Sequence, residues 1–272
     1  MDIKEKLHEL KASLPPQVKL VAVSKFHPVE RLMEAYNAGQ RLFGENRPQE
    51  LAAKVPQMPA DVQWHFIGHL QTNKLKLVLP YVSMVESVDS LHLLQAIDAW
   101  GAANDRVVPV LLELHLGAEE TKHGFSEEEL FEILSGGTVT SVSLGGKAPS
   151  SLPIGDWAPE GLDFGVPENL LIFGVNQPRA AKSTEVTVPP SIKNLEIRGL
   201  MGMATNTDDE AVVEADFARI EALFNRIREE FPELRDTFTE LSIGMSGDWP
   251  LAVRHGATIV RIGTDIFGER EY

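Results

Sequence analysis

No cysteine occurs anywhere in the 272 residues, which removes disulfides, thiolate nucleophiles and cysteine-ligated zinc from consideration. That absence suits either redox environment, so it does not set a compartment. Positive charge is also scarce: 25 Lys and Arg stand against 40 Asp and Glu, a formal net charge of -15. Nucleic acid and anionic membrane both need a basic field to gain binding energy, so neither is expected as a partner. A local basic pocket for a small phosphate remains compatible with this balance. No stretch approaches the roughly 18 apolar residues of a membrane span. Charges at Asp2, Lys4, Glu5, Lys6 and Glu9 interrupt any secretory apolar core, and a cytoplasmic protein is expected.

The composition is that of a globular protein, 43% hydrophobic and 24% charged, with enough apolar residues for a sizeable core. Apolar runs alternate with helix-like segments, the pattern of βα units around a parallel sheet. The runs are Val18 to Ser24, Arg41 to Gly44, Val62 to Ile67, Met84 to Ser87, Val107 to Leu114, Ile197 to Met203, Glu240 to Ile243 and Thr258 to Ile262. Eight such strands predict a closed (β/α)8 TIM barrel, and the length suits one large α/β barrel of about 250 residues. Residues 1-272 are read as a single domain.

Helix signals fall between the strands. Ile3, Leu7 and Leu10 share one face of an N-terminal helix. Pro28 stands near the start of a helix carrying Val29, Leu32, Met33 and Tyr36, and Gly39 is placed to end it. Ser126 to Glu129 and Thr207 to Glu210 both have the capping-box form. After the second box, Val213, Phe217, Ile220, Phe224, Ile227 and Phe231 form one apolar stripe. Ser135 to Glu196 breaks the rhythm: it holds 7 of the 17 prolines and 8 of the 21 glycines. So long a connection predicts an insertion between strands five and six, either a surface excursion or a lid or contact element.

Chemistry-bearing residues cluster where strands end, which is where a barrel builds its site. Lys25 closes the first strand; a lysine is ordinarily a solvated surface charge, but in a strand-end pocket its amine becomes a nucleophile able to condense with a carbonyl. Gly44-Glu45-Asn46 follows strand two and Gly68-His69-Leu70-Gln71-Thr72-Asn73-Lys74 follows strand three. Both are rich in hydrogen-bonding groups, and both also suit plain turn chemistry, with Thr72 as a helix cap. Ser242-Ile243-Gly244-Met245-Ser246-Gly247-Asp248 and Arg261-Ile262-Gly263-Thr264-Asp265 supply glycines and small hydroxyls at strands seven and eight, the setting of a barrel phosphate site. Neither is a Walker loop or a dinucleotide fingerprint.

In order, Val21-Ala22-Val23-Ser24-Lys25, Phe43-Gly44-Glu45-Asn46, His65-Phe66-Ile67-Gly68-His69-Leu70-Gln71-Thr72-Asn73-Lys74, Ser87-Val88-Asp89-Ser90, Gly199-Leu200-Met201, Leu241 to Asp248 and Arg261 to Gly268 closely resemble the YggS/PROSC family of pyridoxal phosphate (PLP) homeostasis proteins. The resemblance runs from the first strand to the C-terminus, leaving out roughly Ser135 to Glu196. It implies an alanine racemase N-terminal type barrel of fold type III, with PLP held as a Schiff base on Lys25. It further implies Ser246, Gly263 and Thr264 at the phosphate, Asn46 near the ring, and Arg261 at the pyridine nitrogen. His69, Ser242 and Met245, from the same strand-end segments, complete the expected cofactor-binding set, and no metal site is expected.

A guanidinium only donates, so an Arg261 at the pyridine nitrogen keeps that nitrogen unprotonated and the ring a weaker electron sink. Racemisation also needs a second acid/base, which alanine racemases take from an added β domain; this chain has few residues after strand eight. The expected function is therefore PLP binding and intracellular PLP homeostasis, with PLP-dependent apoenzymes as candidate recipients and a monomer or weak dimer as the working unit. A PLP-dependent amino-acid racemase is the alternative, and a barrel for another phosphate ligand with Lys25 unmodified is a third reading. Departures from the family pattern are Phe26 after Lys25, Ile243 where methionine is usual, and the length of Ser135 to Glu196.

Overall fold

A computed structural model describes residues 2–116, 124–135, 138–140, 185–187 and 193–268. Its centre is a closed barrel of eight parallel strands: β1 Lys19–Val23, β2 Leu42–Glu45, β3 Gln63–Phe66, β4 Met84–Val88, β5 Val108–Leu114, β8 Leu195–Gly202, β9 Glu240–Ser242 and β10 Ile259–Ile262. The order round the barrel is β1-β10-β9-β8-β5-β4-β3-β2. Every strand expected from the sequence is present, with ends shifted by a residue or two. β6 Thr138–Thr140 and β7 Glu185–Thr187 form a separate antiparallel pair. β5 pairs directly with β8 from Val108↔Leu195 to Leu114↔Gly202, so the chain between them leaves and re-enters the barrel at adjacent strands. The expected insertion, 135–196, lies mostly outside the described residues.

These strands read as continuous apolar runs because a parallel sheet under helices is buried on both faces. Alternation along each strand then sorts the residues. Val21, Met84, Leu111, Met201 and Ile259 close the barrel interior as one apolar layer. Leu20, Ala22, Phe43, Phe66, Val85 and Leu112 face outward into the larger core beneath the helices. Gly199, at a bulge in the β5–β8 ladder, has φ +151, and a Cβ there would collide with the Glu240 carbonyl. Only glycine lets β8 and β9 approach so closely.

The helices are α1 Ile3–Ser13, α2 Val29–Asn37, α3 Pro48–Lys54, α4 Leu75–Val78, α5 Leu91–Ala103, α6 Glu127–Leu134, α7 Glu210–Glu230, α8 Trp249–Arg254 and α9 Thr264–Phe267. α1 buries Ile3, Leu7 and Leu10, as their spacing predicts, and Asp2 and Glu5 close a capping box on it. The box at Ser126 and Glu129 forms on α6. At α7 the expected box does not form: Asp209 is the N-cap, accepting from the Ala211 amide, while Thr207 accepts from Asp209. A short Asp side chain two residues nearer the first turn outcompetes the threonine. Thr72 caps nothing; it opens a 3-10 turn, Thr72–Lys74, that leads into α4. In α2 the fully buried positions are Leu32 and Ala35, with Val29, Met33 and Tyr36 packed at the margin.

Candidate functional site

Two residues above the apolar layer, the same alternation puts Val23, Glu86, Glu113, Met203 and Arg261 on the inward face. The barrel interior therefore turns from apolar to polar toward its C-terminal mouth. A cavity of about 1200 Å³ opens there. Of the expected site residues, Lys25, Asn46, His69, Met245, Ser246, Arg261, Gly263 and Thr264 all line it. Ser242 does not: it is fully buried beneath the cavity.

Lys25 stands in the turn after β1, half-buried, and the turn is clamped on both sides. Ahead of it, Lys54 from the end of α3 donates to the Ser24 carbonyl at 2.9 Å, and the Ser24 hydroxyl donates to Glu45 at 2.8 Å. Behind it, the Phe26 amide donates to Glu50 at 3.0 Å. Phe26 has φ +66, a left-handed conformation unusual for an aromatic residue; the Arg47 guanidinium lies 4.2 Å from its ring centroid. Lys54 also bridges Glu45 at 2.5 Å and Glu50 at 3.0 Å. Burial pushes Glu45 above the ordinary carboxylate range despite the opposing charge of Lys54. None of Ser24, Lys54 or Glu50 was singled out from the sequence; Lys54 reaches Glu45 across a β-strand and a helix, a pairing without a local signature.

Arg261 is held from below. Its Nη1 donates to the Ser242 carbonyl at 2.8 Å and hydroxyl at 2.6 Å, and its Nη2 to the Gly202 carbonyl at 2.8 Å. A guanidinium has five N–H donors, so donors remain for the cavity it lines. Glu86 sits deeper, fully buried, 2.5 Å from His65 Nδ1 and accepting from the Ser242 hydroxyl at 2.6 Å. Burial would raise its pKa, but the bond and charge of His65, with Arg261 and Ser242, hold it below the ordinary range. Ser242 is thus a link between Glu86 and Arg261.

Around the rim, His69 Nδ1 lies 2.8 Å from Asp89 Oδ2. Ser246 bonds the Asp265 carboxylate, which burial lifts against the pull of Lys6 and Ser246. The Met245 amide donates to Asp248 at 2.5 Å and shapes the turn that carries Ser246 and Gly247. At Gly68 a Cβ would stand 2.6 Å from the Asn46 Cβ, so this glycine is what lets β3 press against the Asn46 turn. The Asn46 side-chain carbonyl is buried with no hydrogen-bond partner, a cost that a bound donor would relieve.

Glu113, 7% exposed on β5, also lines the cavity. Burial, and then the charge of Asp89, push it up to about 7, against Arg261. The unfolded carboxyl titrates near 4.3, so the protonated form is favoured by the fold. Its contribution to stability is fully present below that value and is lost as pH rises through about 7. Glu113→Gln is therefore expected to be more stable than the wild type at pH 8 by about 3 kcal/mol and equal to it near pH 4. Parallel urea unfolding curves at the two pH values measure this; the same difference at both would mean that Glu113 does not titrate as stated.

The barrel, with a lysine after its first strand and an arginine on its last lining one cavity, is of the class of the alanine racemase N-terminal domain. The model of that family matches residues 2–138, half of the chain. An alanine racemase from Corynebacterium glutamicum shares the fold at TM-score 0.59 and 15% identity, over 98% of this chain and 60% of the racemase. Within that class, the chain belongs to the pyridoxal phosphate homeostasis protein family. The Aquifex aeolicus member is 32% identical over 93% of this chain and 88% of its own length; the Homo sapiens member is 31% identical over 94% and 78%. PipY of Synechococcus elongatus PCC7942, solved without and with PLP, superposes at TM-scores of 0.74 and 0.72 with 32% identity, covering 98% of this chain and all of PipY. Among the described residues no helix is long and apolar enough to cross a membrane.

Proposed function

We infer that the chain binds PLP in the strand-end cavity and serves intracellular PLP homeostasis, as a single barrel domain with Lys25 as the tethering amine. The observation that carries this reading is the convergence on one cavity of a lysine amine at a strand end, an unsatisfied buried carbonyl at Asn46 and an arginine with donors to spare. These residues fit the group. Lys25 would hold the aldehyde, Asn46 and Arg261 the ring, and Ser246, Gly263 and Thr264 the phosphate. At Gly247 a Cβ would meet nothing within 4 Å, so the turn leaves room for a bulky anion.

Bound PLP supplies an electrophilic aldehyde carbon and an electron-accepting ring. The chain's own residues decide how much of that is used. Arg261, fixed by Ser242 and Gly202, offers only donors toward the cavity and leaves a ring nitrogen unprotonated. Glu86 and His65 are spent on each other and on Ser242, below the lining. This favours retention and release of PLP, with handover to apoenzymes, over a racemase cycle. Absorbance titration of the protein with stoichiometric PLP tests it: a saturable long-wavelength band is expected, and its absence would reject the cofactor.

Asn46 gives a finer check. In Gly68→Ala the new methyl displaces Asn46, whose backbone and Cβ it would overlap. A loss of roughly tenfold in PLP affinity, about 1.4 kcal/mol, is expected with the fold retained. An unchanged Kd in the same titration would take Asn46 out of the binding set.

A further inference from the structure

Glu113 is a carboxyl inside the barrel that the reading above does not use. It lies 7% exposed on the inward face of β5 and borders the cavity. Unlike Glu86 in the same layer, it has no side-chain hydrogen bond or ion pair among the described residues; burial acts on it first, and after that charge at a distance. From the β4 side the Asp89 carboxylate repels its ionised form, and from β10 the Arg261 guanidinium attracts it. From β4 and β3 come Glu86 and His65, bonded to each other. Across the cavity are Lys25 and His69. On the β8 side Met201 and Gly202, its neighbours in the ladder, bring no titratable group.

The ionised carboxyl thus depends on cavity water and on the attraction of Arg261. A phosphorylated aldehyde changes both. It displaces water, adds the negative charge of the phosphate, engages Arg261, and consumes the Lys25 amine in its tether. Each change raises the cost of a second negative charge in a space of low dielectric constant.

We propose that Glu113 takes up a proton when PLP loads the cavity, so that ligand uptake and protonation of this carboxyl are one linked event. The linkage rests on the PLP reading and adds to it a residue that sets how loading depends on pH. In the empty protein Glu113 titrates near 7, so at pH 8 it is largely ionised and available to accept the proton. One-proton linkage then weakens PLP binding by up to about tenfold for each pH unit above 7. The variant Glu113→Gln keeps the shape of the side chain and loses the titration.

Calorimetric titration of wild type and Glu113→Gln with PLP at pH 8, in two buffers of different ionisation enthalpy, counts the protons. Those that belong to PLP and to Lys25 cancel in the difference. The wild type is expected to take up close to one proton more than Glu113→Gln, and its Kd to depend more steeply on pH. The infrared difference spectrum of the wild type alone, with and without PLP at pH 8, is expected to gain a protonated-carboxyl band, and this needs no variant to fold. Equal proton counts, or no such band in PLP-loaded wild type, would overturn the linkage and leave the PLP reading standing. Failure of the wild type to bind PLP would overturn both.

Discussion

Lys25→Ala is expected to abolish covalent retention of PLP. Borohydride reduction of the protein mixed with one equivalent of PLP, followed by mass spectrometry, should show one adduct per wild-type chain and none in the variant, with the long-wavelength band lost in parallel. The reason is positional. Lys25 stands in a turn clamped through the Ser24 carbonyl and the Phe26 amide, beside the residues proposed to hold ring and phosphate, whereas the buried Lys54 ammonium is bonded to Glu45 and Glu50. Tethering is then effectively unimolecular, and such pre-orientation is worth orders of magnitude. Weak binding through the phosphate and ring contacts should survive, so the variant separates retention from recognition. An adduct of the same stoichiometry in Lys25→Ala would move the tether to another lysine and undo the assignment.

Much of this was readable before any coordinates. The strands could be found because burial on both faces leaves each a near-continuous apolar run. Lys25 could be found because it closes such a run, while Asn46 and Arg261 were singled out by the family resemblance. What stayed hidden are the residues that make those three usable. Glu86 and Glu113 are charged residues within apolar strands, in step with Met84 and Leu111, and that parity was a signal for an inward polar layer. It is faint because period-two alternation is suppressed where both faces are apolar. Ser242 was expected against the ligand, but its hydroxyl is drawn below the lining by two charged neighbours, Glu86 and Arg261. The Thr207 box failed for a local reason, a better cap at Asp209. Lys54 gave no signal at all: its partners Glu45 and Ser24 are 9 and 30 residues away, and the pairing of β1 with β2 and the packing of α3 against β2 bring them together.

Lys54→Met tests that hidden support and carries the largest stability effect. Lys54 is 7% exposed and Glu45 fully buried; removing the ammonium leaves a buried carboxylate with two neutral donors, the Ser24 hydroxyl and the Asn46 amide, and no opposite charge bonded to it. Breaking such a pair from one side costs about 3–5 kcal/mol, so urea unfolding of the PLP-free variant at pH 7 should show a loss of that size. Replacing both partners, Glu45→Met with Lys54→Met, removes the orphaned charge together with its cost, and stability should return to within about 1 kcal/mol of wild type. Retention of PLP should not return with it. The Ser24 carbonyl has still lost the ammonium that fixes the turn ahead of Lys25, so the double variant is expected to fold like the wild type and hold PLP more weakly. If the single variant unfolds within about 1 kcal/mol of wild type, the pair is solvated and no support. If the double variant binds PLP as tightly as wild type, Lys54 stabilises the barrel without positioning Lys25.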